Sequence, residues 1–150
     1  MKREDNTPFI IAEIGGNHEG DFELAKDLLV QAAEAGADSV KFQIYTGDGI
    51  VNRFVSPERA AHFDRFALSN DQYFQLYELA TKQCVDFNAS IWNLDLISEF
   101  RDCLSFIKVG SGDLTAYQFL RELLTLELPI VLSTGLANLD EIDNTHSRQV

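Results

Sequence analysis

Five short apolar, β-prone segments alternate along the chain with segments of helical periodicity, and few folds accept that order. Phe9 to Ile14 reads as the first strand. From Asp21 to Ala35 apolar residues recur at Phe22, Ala25, Leu28, Leu29, Ala32 and Ala33, a helical stripe that stops at Gly36. Ser39 to Tyr45 is the second strand, and Ser69 with Gln72 three residues on predicts the capped start of the next helix. Asp86 to Ile91 is the third strand, followed by a short helix over Leu94 to Phe100. Ser105 to Val109 is the fourth, with a helix predicted from Thr115 and Gln118 as its capping partner. Pro129 leads into the fifth strand, Ile130 to Leu132, and Asn138 with Glu141 opens a last helix.

The pattern is α/β, four βα units plus a fifth strand and part of a helix. Two parallel architectures compete. A five-stranded doubly wound sheet is complete at about this length. A (β/α)8 TIM-type barrel takes roughly 250 residues, so 150 would make a partial one. The second strand discriminates. Val40, Phe42 and Ile44 share one face, and Ser39, Lys41, Gln43 and Tyr45 the other. A strand sandwiched between two helix layers is apolar on both faces. A polar face in mid-strand suits a barrel lumen with the active site at its C-terminal mouth.

The strand ends carry the chemistry: Glu13, then Lys41 and Gln43, Asn88 and Ser90, Lys108 and Ser111, and Ser133 with Thr134. A single polar residue there needs no function, since strand ends lie near the surface. A lysine between Val40 and Phe42 must snorkel or find an anion, and Lys108 between Ile107 and Val109 poses the same question. Two at corresponding positions favour an anionic ligand. Gly110-Ser111-Gly112 and Ser133-Thr134-Gly135 each follow a strand and precede a helix, as phosphate-binding turns do; turns of no function use the same residues. Neither is a dinucleotide or P-loop motif. Glu13 is either the ion-pair partner of Lys41 or Lys108, or an acid/base. His18 reads as structural, and His62 and His146 have no companions of metal-ligand type. Thr46 to Leu68, with Phe54, Phe63 and Phe66, reads as a long loop able to cover the mouth.

Charge and cysteine content narrow the partners. Twelve basic against 24 acidic residues give a net charge of −12, with no basic patch for nucleic acid to follow. Cys84 and Cys103 have no ligand spacing. The apolar run Phe9 to Ala12 is broken at Glu13, too soon for a leader or a membrane span, so the expected location is cytoplasmic.

Four segments together resemble the N-acetylneuraminate (sialic acid) synthase family: Ile11 to Gly20 (IAEIGGNHEG), Gly36 to Gln43 (GADSVKFQ), Ile107 to Asp113 (IKVGSGD) and Leu132 to Leu136 (LSTGL). They occur in family order and cover nearly the whole chain. The resemblance implies a transferase of barrel fold that condenses phosphoenolpyruvate with an N-acetylated amino sugar such as N-acetylmannosamine. The product is a nine-carbon 2-keto-3-deoxy sugar acid, with phosphate released. By matching motif, Glu13 resembles the catalytic carboxylate and Lys41 the lysine that holds the phosphoenolpyruvate carboxylate. Lys108, Ser111 and Ser133 resemble the phosphate ligands, and Gln43 lines the pocket. Ser90 keeps a hydroxyl where the family commonly has Ser-Thr-Pro-Phe, but Ala89-Ser90-Ile91-Trp92 lacks the proline and carries a larger ring.

The resemblance also implies a divalent metal, Mn or Mg, held by histidines on later strands, and an antifreeze-like domain that completes a homodimer. Residues 1–150 would then be the N-terminal portion of the barrel domain, with no second domain, no metal ligands and no activity alone. Two alternatives stand beside this: a Schiff-base aldolase using Lys41 or Lys108, and a non-catalytic anion-binding remnant.

Overall fold

Local signals start most of the helices. Asp21 accepts hydrogen bonds from the backbone N–H groups of Glu23 and Leu24 and so caps α1 (Phe22–Glu34), which follows β1 (Ile11–Gly15). β2 (Ser39–Ile44) comes next. The short α2 (Gly47–Ile50) and α3 (Pro57–Phe66) lead to α4 (Asn70–Lys82), where Ser69 and Gln72 form both halves of a capping box. β3 (Asp86–Ile91), α5 (Leu94–Phe100), β4 (Ile107–Val109), α6 (Tyr117–Leu124), β5 (Ile130–Leu132) and α7 (Leu139–Ser147) complete the order. The computed structural model describes residues 7–135 and 137–147. Leu136 of the fourth motif, the N-terminal residues 1–6 and the side chain of His146 lie outside the described residues.

The strands form one parallel sheet in the order β1-β2-β3-β4-β5. A doubly wound sheet reverses its strand order at a switch point. This sheet never reverses, so the fold is that of a partial (β/α)8 barrel. Its helix-side face is apolar: Val40, Phe42 and Ala89 are fully buried, with Ala25 and Leu29 of α1 and Leu76 of α4 in the same cluster. Phe42 stacks on Phe87 at 5.7 Å between ring centroids and meets Tyr73 edge-on at 6.4 Å.

Asn88, on the opposite face, joins three segments. Its amide donates to Ser39 Oγ (2.7 Å), while its carbonyl oxygen accepts from the backbone N–H groups of Ser105 (3.1 Å) and Phe106 (3.0 Å). Those two N–H groups are thereby taken from the ladder, which explains why β4 starts at Ile107 rather than at Ser105. β1 also runs later than its apolar pattern suggests. Its register slips between Glu13 and Gly15, whose φ of +58° is the left-handed region that glycine enters freely.

Two expectations need correction. The segment from Thr46 to Leu68 is not an open loop but carries α2 and α3. Arg53 clamps it, binding Asp48 (2.6 Å) and Asp64 (2.7 Å), and Asp64 also accepts from the Gly47 N–H (2.9 Å). Within it Phe63 packs on Tyr45, while Phe54 is exposed. The helix predicted from Thr115 begins at Tyr117 with Ala116 as its cap and no side-chain bond. A 3-10 turn over Ser111–Asp113 draws the Ala116 N–H to the Asp113 carbonyl and removes Thr115 from the capping position.

His18 is buried behind β2, as a structural side chain would be. Its Nδ1 accepts from the Gly20 N–H (3.1 Å), which puts the proton of the neutral ring on Nε2, and Nε2 has no hydrogen-bond partner. Burial pushes its pKa below the ordinary 6.5. The unfolded chain therefore takes up the proton first. The stability contributed by neutral His18 is present above 6.5 and lost as pH falls through the lowered folded value. Urea titrations of wild type and His18→Asn between about pH 7 and pH 5 are expected to show a steeper loss in wild type; parallel curves would contradict it. Asn88→Ala strands two backbone donors and is expected to cost about 2–4 kcal/mol, seen as a lower urea midpoint at unchanged slope.

Candidate active site

Side-chain alternation on adjacent parallel strands brings the charged residues together. Glu13 of β1 is in register with Lys41 of β2 and Lys41 with Asn88 of β3; one step on, Gln43 is in register with Ser90. These residues face away from the helices and make the polar face that the second strand's pattern predicts. Lys41 is only 3% exposed. A lysine ammonium so deeply desolvated needs partners, and it has two: Glu13 Oε2 at 2.8 Å and Ser90 Oγ at 3.2 Å. Glu13 itself stays open, its side chain 57% exposed. Of the two lysines that could have paired with Glu13, the structure selects Lys41.

Lys108 makes a second centre. Its ammonium donates to Ser133 Oγ (2.6 Å) on the loop after β5 and to the Val109 carbonyl (3.0 Å). Burial lowers its pKa, the charge of Lys41 lowers it further, and Glu13 opposes both. The two lysines therefore lie within each other's field. Glu13 is the one opposite charge that acts on both lysines.

The remaining residues stand around these centres. Ser111 is exposed at the start of the 3-10 turn after β4 and lines a shallow cleft with Gly112, Thr115 and Gly135. The Ser111 hydroxyl approaches Gly135, where a Cβ would sit 3.6 Å from its Oγ. The Gly110-Ser111-Gly112 turn does not run directly into a helix start, since α6 begins only at Tyr117. Gln43 lies half-buried over Gly15 and Gly16, and the Tyr73 hydroxyl donates to its backbone carbonyl (2.8 Å). Two ammonium groups, three nearby hydroxyls and an accessible carboxylate suit an anion with more than one charged group, plus a proton transfer.

Sequence reasoning gave no role to three residues beside this site. Trp92 directly follows β3, and its indole N–H donates to Asp113 Oδ2 (2.9 Å) in the turn after β4. Tyr45 directly follows β2 and packs between Trp92 and Phe63. Trp92 stood out only as a departure from a family pattern, and Asp113 only as the end of a motif. Among the described residues, no three His, Cys, Asp or Glu side chains come together as a metal ion would require, so these residues do not fit the metal that the resemblance implies. No helix among them is long and apolar enough to cross a membrane.

Comparison with known proteins gives the family. The chain is 35% identical to an N,N'-diacetyllegionaminic acid synthase of Legionella pneumophila and 33% identical to the human N-acetylneuraminate-9-phosphate synthase. The matches take in 91% and 92% of this chain, which spans 42% of the length of each of those proteins. The crystal structure of the N-acetylneuraminic acid (sialic acid) synthetase of Leptospira borgpetersenii superposes with a TM-score of 0.89 at 27% identity, over 97% of this chain and 50% of that one. A 3-deoxy-D-arabino-heptulosonate 7-phosphate synthase of Thermotoga maritima, 15% identical with a TM-score of 0.66, shares the fold alone. The NeuB family matches residues 28–148, and with four-fifths of its length inside that match, the chain belongs to the NeuB family.

Proposed function

We propose that this chain forms the phosphoenolpyruvate-binding part of a synthase that joins phosphoenolpyruvate to an N-acetylated amino sugar of the N-acetylmannosamine type. The product is a nine-carbon 2-keto-3-deoxy sugar acid, with phosphate released. The observation that carries the proposal is the pair Lys41 and Lys108 on the polar face of β2 and β4, alternate strands of the sheet, each bonded to a serine of the next strand segment.

Phosphoenolpyruvate is a carboxylate and a phosphate on one enol, and the two lysine centres suit two anionic groups. Lys41 and Ser90 take the carboxylate. Lys108, Ser111 and Ser133 take the phosphate, whose charge relieves the desolvated Lys108 ammonium. Gln43 lines the wall beside the reacting carbons. C3 of the enol attacks the sugar aldehyde, whose oxygen takes up a proton to become a hydroxyl; water adds to the cation left at C2, and the tetrahedral centre collapses to the ketone as phosphate leaves with the proton of the C2 hydroxyl. Glu13, exposed yet 2.8 Å from the Lys41 ammonium, accepts the proton of that water. The divalent metal that the resemblance implies finds no ligand set among the described residues. Residues 1–150 correspond, on this proposal, to the N-terminal portion of the barrel domain of a longer, homodimeric enzyme.

Calorimetry of the 150-residue chain tests the binding step. Lys108→Ala is expected to weaken phosphoenolpyruvate about ten- to a hundredfold, the loss of one charge-assisted contact to an anion, while Lys108→Arg retains most of the affinity. Unchanged affinity in a folded Lys108→Ala chain would sink the assignment. The lowered pKa of Lys108 is the one feature that also suits imine chemistry. A borohydride-stable lysine adduct with pyruvate would favour the aldolase instead.

A further inference from the structure

Beyond the lysine centres, the C-terminal end of the sheet holds a chamber of about 460 Å3, lined by Gln43, Tyr45, Ile50, Phe63, Trp92 and Asp113 among others. Three aromatic rings make one wall: Tyr45 lies 5.4 Å from Phe63 and 6.2 Å from Trp92, both edge-on. Asp113 is the only charged side chain of the lining. Its Oδ2 is engaged by the Trp92 indole N–H at 2.9 Å, and a Cβ on Gly110 would lie 3.6 Å from the same oxygen. One bond thus ties the residue after β3 to the turn after β4 and fixes the carboxylate against the chamber wall. A half-buried indole could satisfy its single donor with water. Here it spends that donor on an ionisable group, the one charged side chain that lines the chamber.

We propose that Trp92 is a positioning residue: its indole N–H holds the Asp113 carboxylate so that this group accepts a hydrogen bond from a hydroxyl or amide N–H of the acceptor sugar. The ring of Trp92, with Tyr45 and Phe63, forms the apolar wall against which the sugar's C–H face or acyl methyl packs. The proposal rests on the function given above, because the chamber adjoins the centre assigned to phosphoenolpyruvate. It assigns to Trp92 a role that a phenylalanine at the same position could not fill, since phenylalanine supplies the ring without the donor.

Trp92 is the single tryptophan of the chain, so its emission is expected to differ between wild type and Asp113→Asn at neutral pH; identical emission would overturn the bond on which the proposal stands. Calorimetry with N-acetylmannosamine, at saturating phosphoenolpyruvate, is expected to show at least a tenfold loss of sugar affinity in both Trp92→Phe and Asp113→Asn. Phosphoenolpyruvate affinity is expected to stay within twofold of wild type, a split that general unfolding would not produce. Sugar binding equal in Trp92→Phe and wild type overturns the positioning role. Phosphoenolpyruvate bound without any sugar response in wild type overturns the acceptor chamber alone. Failure of wild type to bind phosphoenolpyruvate overturns the underlying function.

Discussion

A lysine ammonium held out of water in the middle of a parallel sheet is the constraint around which this end of the molecule is arranged. Lys41 is almost wholly out of solvent, with its ammonium covered by the side chains bonded to it. Its charge is met by one carboxylate from β1 and one hydroxyl from β3, so three successive strands are set in register by a single ammonium group. Leaving such a charge unpaired would cost several kcal/mol. The polar face of β2 is therefore as much a structural requirement as a chemical one, and Asn88 extends it by taking the first N–H groups of the β4 segment.

Lys108 is held differently. Its partners are a neutral hydroxyl and a carbonyl, its neighbour Lys41 repels it, and the nearest opposing charge, Glu13, is already bonded to Lys41. One lysine is satisfied within the fold while the other keeps an unmet demand for negative charge. On the proposed function, Lys108 therefore has more to gain from the phosphate than Lys41 from the carboxylate.

Much of this was legible in the sequence where the cause is local. The capping boxes Ser69 with Gln72 and Asn138 with Glu141 form as their spacing predicts, and Asp86–Ile91 is a strand over the residues that read as one. The alternation of Phe42 with Lys41 and Gln43 correctly separates the helix side from the lumen. The same kind of signal failed at Thr115, where a 3-10 turn competing for the same backbone groups prevailed over a side-chain cap. It missed α3 because the helix between Pro57 and Phe66 is short, with four charged residues in ten, and is held by Arg53, Asp48 and Asp64 rather than by an apolar stripe. Contacts between distant residues, such as Trp92 with Asp113 or Asn88 with Ser105, leave no periodic trace. They become visible only once the register of neighbouring strands is set.

The two lysines also shape how a ligand arrives. On the proposed function the ligand is an anion and the chain's overall charge is −12, so it is repelled at long range and held only by short contacts to the two ammonium groups. Dissolved salt screens the distant repulsion over a Debye length of about 8 Å while leaving the half-buried contacts largely intact. If the site takes phosphoenolpyruvate as proposed, its association quickens as ionic strength rises, the reverse of the usual electrostatic steering between opposite charges.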